Sequence, residues 1–211
     1  MYTLYGRPAT GSAAVEALLE ELGLPYRLEN VAKGPDGRPS AHYLANINPL
    51  GPVPALKLPD GSVMTESAAM MIYLADLVPG ANLAPLPTHP ARGQYLRVML
   101  FLAAEIYPAD LRLFYSDRYT TDPDGASGVK KAASAEMDRL FDHLANMLGD
   151  KPFLLGEEFS ALDLYAAMVA SWAESVPVLF TRHPNIAQHY ARVKARPATA
   201  RAWARNKMMD Y

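Results

Sequence analysis

The residue types best suited to chemistry fall in one run, Asn48-Pro49-Leu50-Gly51-Pro52-Val53-Pro54-Ala55-Leu56, and in the pair Glu66-Ser67 beyond it. Proline lacks a backbone N–H, fixes φ and pushes the preceding residue to extended geometry. Val53, set between Pro52 and Pro54, is therefore held extended, with its own N–H and C=O free to pair with something outside the chain. Ala55 to Leu58 reads as a strand, Pro59-Asp60-Gly61 as a turn, and Ser62 to Met64 as the return strand. A helix opens near Glu66-Ser67. The first N–H groups of a helix are unpaired and its dipole is positive there, so this end attracts anions. Other chemistries are excluded. Zero cysteine removes disulfides, thiolate metal sites and a cysteine nucleophile. His42, His89, His143, His183 and His189 show no paired metal spacing, so no metal is expected.

The elements that must position these residues read as two halves. Tyr2 to Tyr5 is a strand, Gly6 to Gly11 a loop, and Ser12 a cap for the helix carrying Val15, Leu18, Leu19 and Leu22. Gly23 ends that helix, and Tyr26 to Val31 alternates as a second strand. One helical turn at His42 to Asn46, the hairpin and a third helix, Glu66 to Leu77, complete a β-α-β-α-β-β-α order. That order predicts an α/β thioredoxin-like domain over residues 1–78. The Pro-rich segment 79–89 is a linker. Residues 90–211 show only helical periodicity and predict an all-α domain. Its stripes are Tyr95, Val98, Met99, Leu102 and Ile106, broken at Pro108, then Met137, Leu140, Phe141, Leu144 and Leu148. Ser160 with Asp163 three residues on is a capping box, Phe159 stapling onto Leu164, and that helix is expected to run through Trp172. Pro184-Asn185 opens another helix and Arg196-Pro197 stops it; a last amphipathic segment holds Trp203.

Net charge is −2 with no long run of one sign, which argues against nucleic acid or an acidic membrane as main partner. The longest uncharged apolar run, Val98 to Ala104, is far short of the ~18 residues of a membrane span. Met1-Tyr2-Thr3-Leu4-Tyr5 carries no basic flank or long apolar core, so a cytoplasmic location is expected.

Asn48-Pro49-Leu50-Gly51, Val53-Pro54-Ala55-Leu56 and then Glu66-Ser67 opening a helix resemble the N-terminal domain of cytosolic glutathione transferases. Phe153-Leu154-Leu155-Gly156 through Asp163-Leu164, Pro184-Asn185-Ile186 and Ala195-Arg196-Pro197-Ala198 resemble the same family's helical domain, so the resemblance covers nearly the whole chain. It implies a cis bond before Pro54, with Val53 pairing to the cysteinyl backbone of glutathione and Glu66 and Ser67 holding its γ-glutamyl end. It also implies glutathione as co-substrate, a homodimer, and attack of the glutathione thiolate on a hydrophobic electrophile, a role in detoxification. A glutathione-dependent disulfide reductase without its own cysteine, and a non-catalytic glutathione-binding or scaffold protein, are the alternatives.

A free thiol has a pKa of about 8.5, and bringing it two pKa units down takes roughly 2.7 kcal/mol. One hydrogen bond to the charged form supplies about 1.5–3 kcal/mol. A helix N-terminus adds about 0.3–1 kcal/mol. Three hydroxyls compete for that bond: Ser12 at the first helix, Thr10 in the loop before it, and Tyr5 ending the first strand. By resemblance, Tyr5 falls at the tyrosine of tyrosine-type members, Ala9 where many serine-type members keep their serine, and Gly11 at the cysteine of cysteine-type members. Pro52 replaces a side chain that in many relatives reaches the glycine carboxylate; Arg7, Lys33 or His42 could substitute. Tyr107, Leu111, Tyr115 and Trp172 are aromatic or apolar candidates for the electrophile pocket.

Overall fold

The computed structural model describes residues 1–208 and divides into two compact units, residues 1–86 with 194–208, and residues 87–193. The first begins with β1 (Tyr2–Gly6), α1 (Ser12–Glu21), β2 (Tyr26–Asn30), α2 (Ala41–Asn46), β3 (Ala55–Lys57), β4 (Val63–Met64) and α3 (Ser67–Leu77). Its sheet has the order β2-β1-β3-β4. β1 runs parallel to β2 because α1 provides the crossover, whereas β3 is antiparallel to both β1 and β4. This is the thioredoxin-like layout. Tyr2, Leu4 and Gly6 alternate inward on β1, and Val15, Leu18 and Leu19 bury the apolar stripe of α1.

The second unit holds α4 (Arg92–Phe101), a π-helical turn (Leu102–Ile106), α5 (Tyr107–Phe114), α6 (Ala126–Leu148), α7 (Ala161–Ala170), α8 (Val176–Arg182) and α9 (Pro184–Lys194). Both expected stripes are buried. At Pro108 the helix widens instead of stopping. Proline cannot donate to the carbonyl four residues back and its ring excludes that carbonyl, so the preceding turn opens and the Tyr107 N–H bonds to Leu102 O. α7 is shorter than expected. The Ser171 hydroxyl donates to Met168 O at 2.6 Å and its N–H is shared between two carbonyls, which places Trp172 in the turn after the helix.

A final helix, α10 (Pro197–Arg205), belongs with the first unit and packs on α1. No helix among the described residues is long and apolar enough to cross a membrane.

Candidate functional site

Strand register makes three stretches converge. Tyr5 lies opposite Ala55, so the chain leaving β1 emerges beside the start of β3. Leu56 lies opposite Met64; continuing that pairing by two residues brings Pro54 level with Glu66. The β1–α1 loop, Val53-Pro54 and the start of α3 therefore share one edge of the sheet.

Val53 is held from behind. The Pro52 carbonyl accepts the Tyr43 hydroxyl at 2.9 Å and the Asn48 amide at 2.8 Å. Asn48, only 3% exposed, also accepts the Leu50 N–H at 3.1 Å. Val53 belongs to a buried cluster with Val31, Tyr43 and Ala55, against which Tyr5 and Ile47 pack. The Val53–Pro54 bond is cis. The main-chain N–H and C=O of Val53 have no hydrogen-bond partner among the described residues.

Glu66 precedes α3 at φ 66°, ψ 101°, in the left-handed half of the map that a non-glycine residue enters only at a cost. No side chain caps the helix there, and the earliest intrahelical bond from Glu66 runs from its carbonyl to the Met70 N–H at 3.0 Å. The first N–H groups of α3 thus face outward beside the partly buried Ser67.

Ser12 does not cap α1. Gly11 occupies that position and Ser12 is the first helical residue, because its hydroxyl turns back to the loop. It donates to Arg7 O at 3.0 Å, accepts the Arg7 N–H at 3.2 Å and lies 2.9 Å from Thr10 Oγ1. At 1% exposure it is closed off from solvent. Thr10 is half-buried and its hydroxyl bonds Arg7 O at 2.7 Å. Tyr5 is half-buried with its ring 6.0 Å from that of Tyr43. Burial pushes the Tyr43 phenol pKa up, against the opposing pull of Asn48 and the Arg7 guanidinium. That guanidinium has a buried nitrogen, Nη1, without a partner among the described residues. His42 stands exposed on α2, paired with Asn46.

In the second unit Tyr107 and Trp172 meet edge to face at 5.0 Å, while Tyr115 is covered by the Arg118 guanidinium at 4.2 Å. Leu111 is half-buried one turn beyond Tyr107. Asp110, on the same helix, carries a buried Oδ1 with no partner among the described residues, and burial pushes its carboxyl up to about 7. Only its position three residues after Tyr107 could have marked it in sequence, since a lone aspartate in a helix ordinarily faces water.

The family described as "Glutathione S-transferase, N-terminal domain" matches residues 12–77, and "Glutathione S-transferase, C-terminal domain" matches residues 127–192. The chain is 30% identical over 172 residues to the uncharacterized GST-like protein YncG of Escherichia coli K12, covering 82% of each. It is 25% identical over 218 residues to the disulfide-bond oxidoreductase YfcG of the same strain, covering 100% of this chain and 98% of that one. A crystal structure of a glutathione transferase homologue from Sulfitobacter with bound glutathione superposes with a TM-score of 0.87 at 30% identity, covering 99% of both chains.

Proposed function

This chain belongs to the glutathione S-transferase family, and we propose that it ionises the thiol of glutathione and conjugates the thiolate to a hydrophobic electrophile. The observation that carries the reading is Val53. Its unpaired N–H and C=O stand at the sheet edge shared with the uncapped start of α3, an arrangement suited to an extended peptide with a carboxylate at one end. In this reading Val53 and Pro54 pair with the cysteinyl residue, and Glu66 with Ser67 holds the γ-glutamyl group. Arg7, with its unpartnered nitrogen near Tyr43, takes the carboxylate that Pro52 cannot reach. The glutathione-bound homologue supports the same ligand here.

We assign the thiol to the Thr10 hydroxyl. Both the Ser12 and Thr10 hydroxyls bond Arg7 O, but Ser12 is 1% exposed while Thr10 is half-buried, and the Tyr5 ring packs against the cluster of Val31, Tyr43, Val53 and Ala55. The thiol releases its proton to solvent, the thiolate attacks an electrophilic carbon, the C–S bond forms, and the leaving group departs with its electron pair. Tyr107, Leu111, Tyr115 and Trp172 present aromatic and apolar surface for the acceptor. The reading carries with it a homodimer and a cytoplasmic, detoxifying role.

Thr10→Ala, Ser12→Ala and Tyr5→Phe, each with glutathione titrated by thiolate absorbance, test it. Thr10→Ala is expected to lower kcat/KM about tenfold to a hundredfold and to raise the bound thiol pKa. Arg7→Met should weaken glutathione binding while leaving that pKa in place. Full rate in all three hydroxyl variants would assign activation to backbone N–H groups. The similarity to the oxidoreductase YfcG supports a second reading, and reduction of a small mixed disulfide without conjugation would replace the first.

A further inference from the structure

The C-terminal helix reaches the loop that carries Thr10 and Ser12. Asn206 ends α10 at 3% exposure. Its amide donates to Glu16 Oε2 at 2.5 Å and to the Ala202 carbonyl at 2.8 Å. Its own carbonyl accepts the Ala9 N–H at 3.0 Å. The last carbonyls of a helix have no partner within it, and the Ala9 N–H has left the sheet, so each satisfies the other.

Ala9 needs such a hold. Its φ is 54°, a region an alanine occupies only when its surroundings impose it. Thr10 follows directly and is tied through Arg7 O and Ser12, so a displaced Ala9 would carry the hydroxyl pair with it. The other end of the latch is equally fixed. Glu16 is fully buried on α1 and receives Asn206, Arg205 and the Tyr26 hydroxyl, which together satisfy its charge.

We propose that Asn206 is a positioning residue of the glutathione site, fixing from the C-terminus the loop that presents Thr10. The proposal rests on the glutathione reading above. Its comparator is Arg196→Gln, which loosens the same helix at Glu21, at the opposite end from Ala9.

The full-length protein would be prepared with Asn206→Ala, Asn206→Asp and Arg196→Gln. Amide hydrogen exchange at Ala9 and Thr10 reads the latch without any ligand, and glutathione affinity and the pKa of the bound thiol read its consequence. Asn206→Ala is expected to speed exchange at Ala9 and to weaken glutathione binding about tenfold with a higher thiol pKa. Arg196→Gln should lower Tm and move neither reading. Asn206→Asp, which sets a second carboxylate against Glu16, should exaggerate the effect; if it fails to fold, the alanine variant decides. Unchanged exchange at Ala9, or faster exchange with unaltered glutathione affinity, would overturn the proposal. Absence of glutathione binding by the unaltered protein would remove the transferase reading and Asn206's role in it, while the exchange data would still decide whether the latch exists.

Discussion

Asp110 is 7% exposed, its Oδ1 has no partner among the described residues, and desolvation alone lifts its carboxyl from the ordinary 3.8 to about 7. A buried acid of this kind holds a proton that the unfolded chain releases, so the folded state binds more protons between the two values. Stability then falls as pH rises from about 4 through 7, and is lowest above that window. The difference amounts to about 4 kcal/mol at mildly alkaline pH. Asp110→Asn keeps the shape and removes the ionisation. The variant is expected to be more stable than the parent at pH 8 by a few kcal/mol, and nearly equal to it at pH 4, in paired urea titrations. A constant offset across that range would show that Asp110 finds a counter-charge. The thiol chemistry lives at the same scale but is decided by access. The sequence offers both Thr10 and Ser12, and both hydroxyls bond the Arg7 carbonyl; exposure separates them, Ser12 at 1% and Thr10 half-buried.

Among the elements, α7 shows how a short motif becomes a hub. Asp163 Oδ2 accepts the Ser160 N–H at 2.8 Å and its hydroxyl at 2.9 Å, the capping contact that Ser160 and Asp163 announce by spacing alone. Its other oxygen takes the Leu154 N–H and His189 Nε2, both at 2.9 Å, from a loop and from α9. A cap by itself contributes about 0.5–2 kcal/mol. A buried carboxylate with four donors leaves all of them unpaired when removed, so Asp163→Ala is expected to cost more, about 3–5 kcal/mol, by denaturant unfolding. His189→Leu would leave the capping pair intact and should cost clearly less. A loss of under 1 kcal/mol for Asp163→Ala would reduce the residue to an ordinary cap.

Across the molecule, legibility followed the range over which a signal acts. Strand alternation, the proline-framed Val53, the hairpin and the start of α3 all depend on neighbours within a few residues, and the structure has them. The junction of α10 with α1 does not: Glu16, Glu20 and Glu21 look like the solvated face of a first helix, and Arg196, Arg201 and Arg205 like that of a last one. They meet because the chain returns, Arg196 on Glu21 at 2.7 and 2.9 Å, Arg201 and Arg205 on Glu20, Arg205 also on Glu16. Burial lifts the Glu20 carboxyl, but hydrogen bonds from Tyr26, Arg205 and Arg201 outweigh it and hold the pKa below the ordinary 4.5. Glu20 therefore adds stability above that value which is lost as pH falls past it. The pairs are not equal. The Arg201 side chain is 56% exposed, where screening and side-chain entropy leave about 0.2–1 kcal/mol. Glu16 is fully enclosed, and its loss removes one partner each from Arg205, Tyr26 and the Asn206 amide, leaving Arg205 and Tyr26 to Glu20 and Asn206 to the Ala202 carbonyl. Arg201→Ala should therefore change the urea midpoint little and Glu16→Ala should cost about 3–5 kcal/mol. Raising salt should weaken the parent toward Arg201→Ala while leaving most of the Glu16→Ala gap, because a Debye length of about 8 Å at physiological salt screens exposed charges and not enclosed ones. If the two variants lose equal stability, packing of Ala202 and Trp203 rather than the enclosed carboxylate holds the C-terminal helix to the first unit.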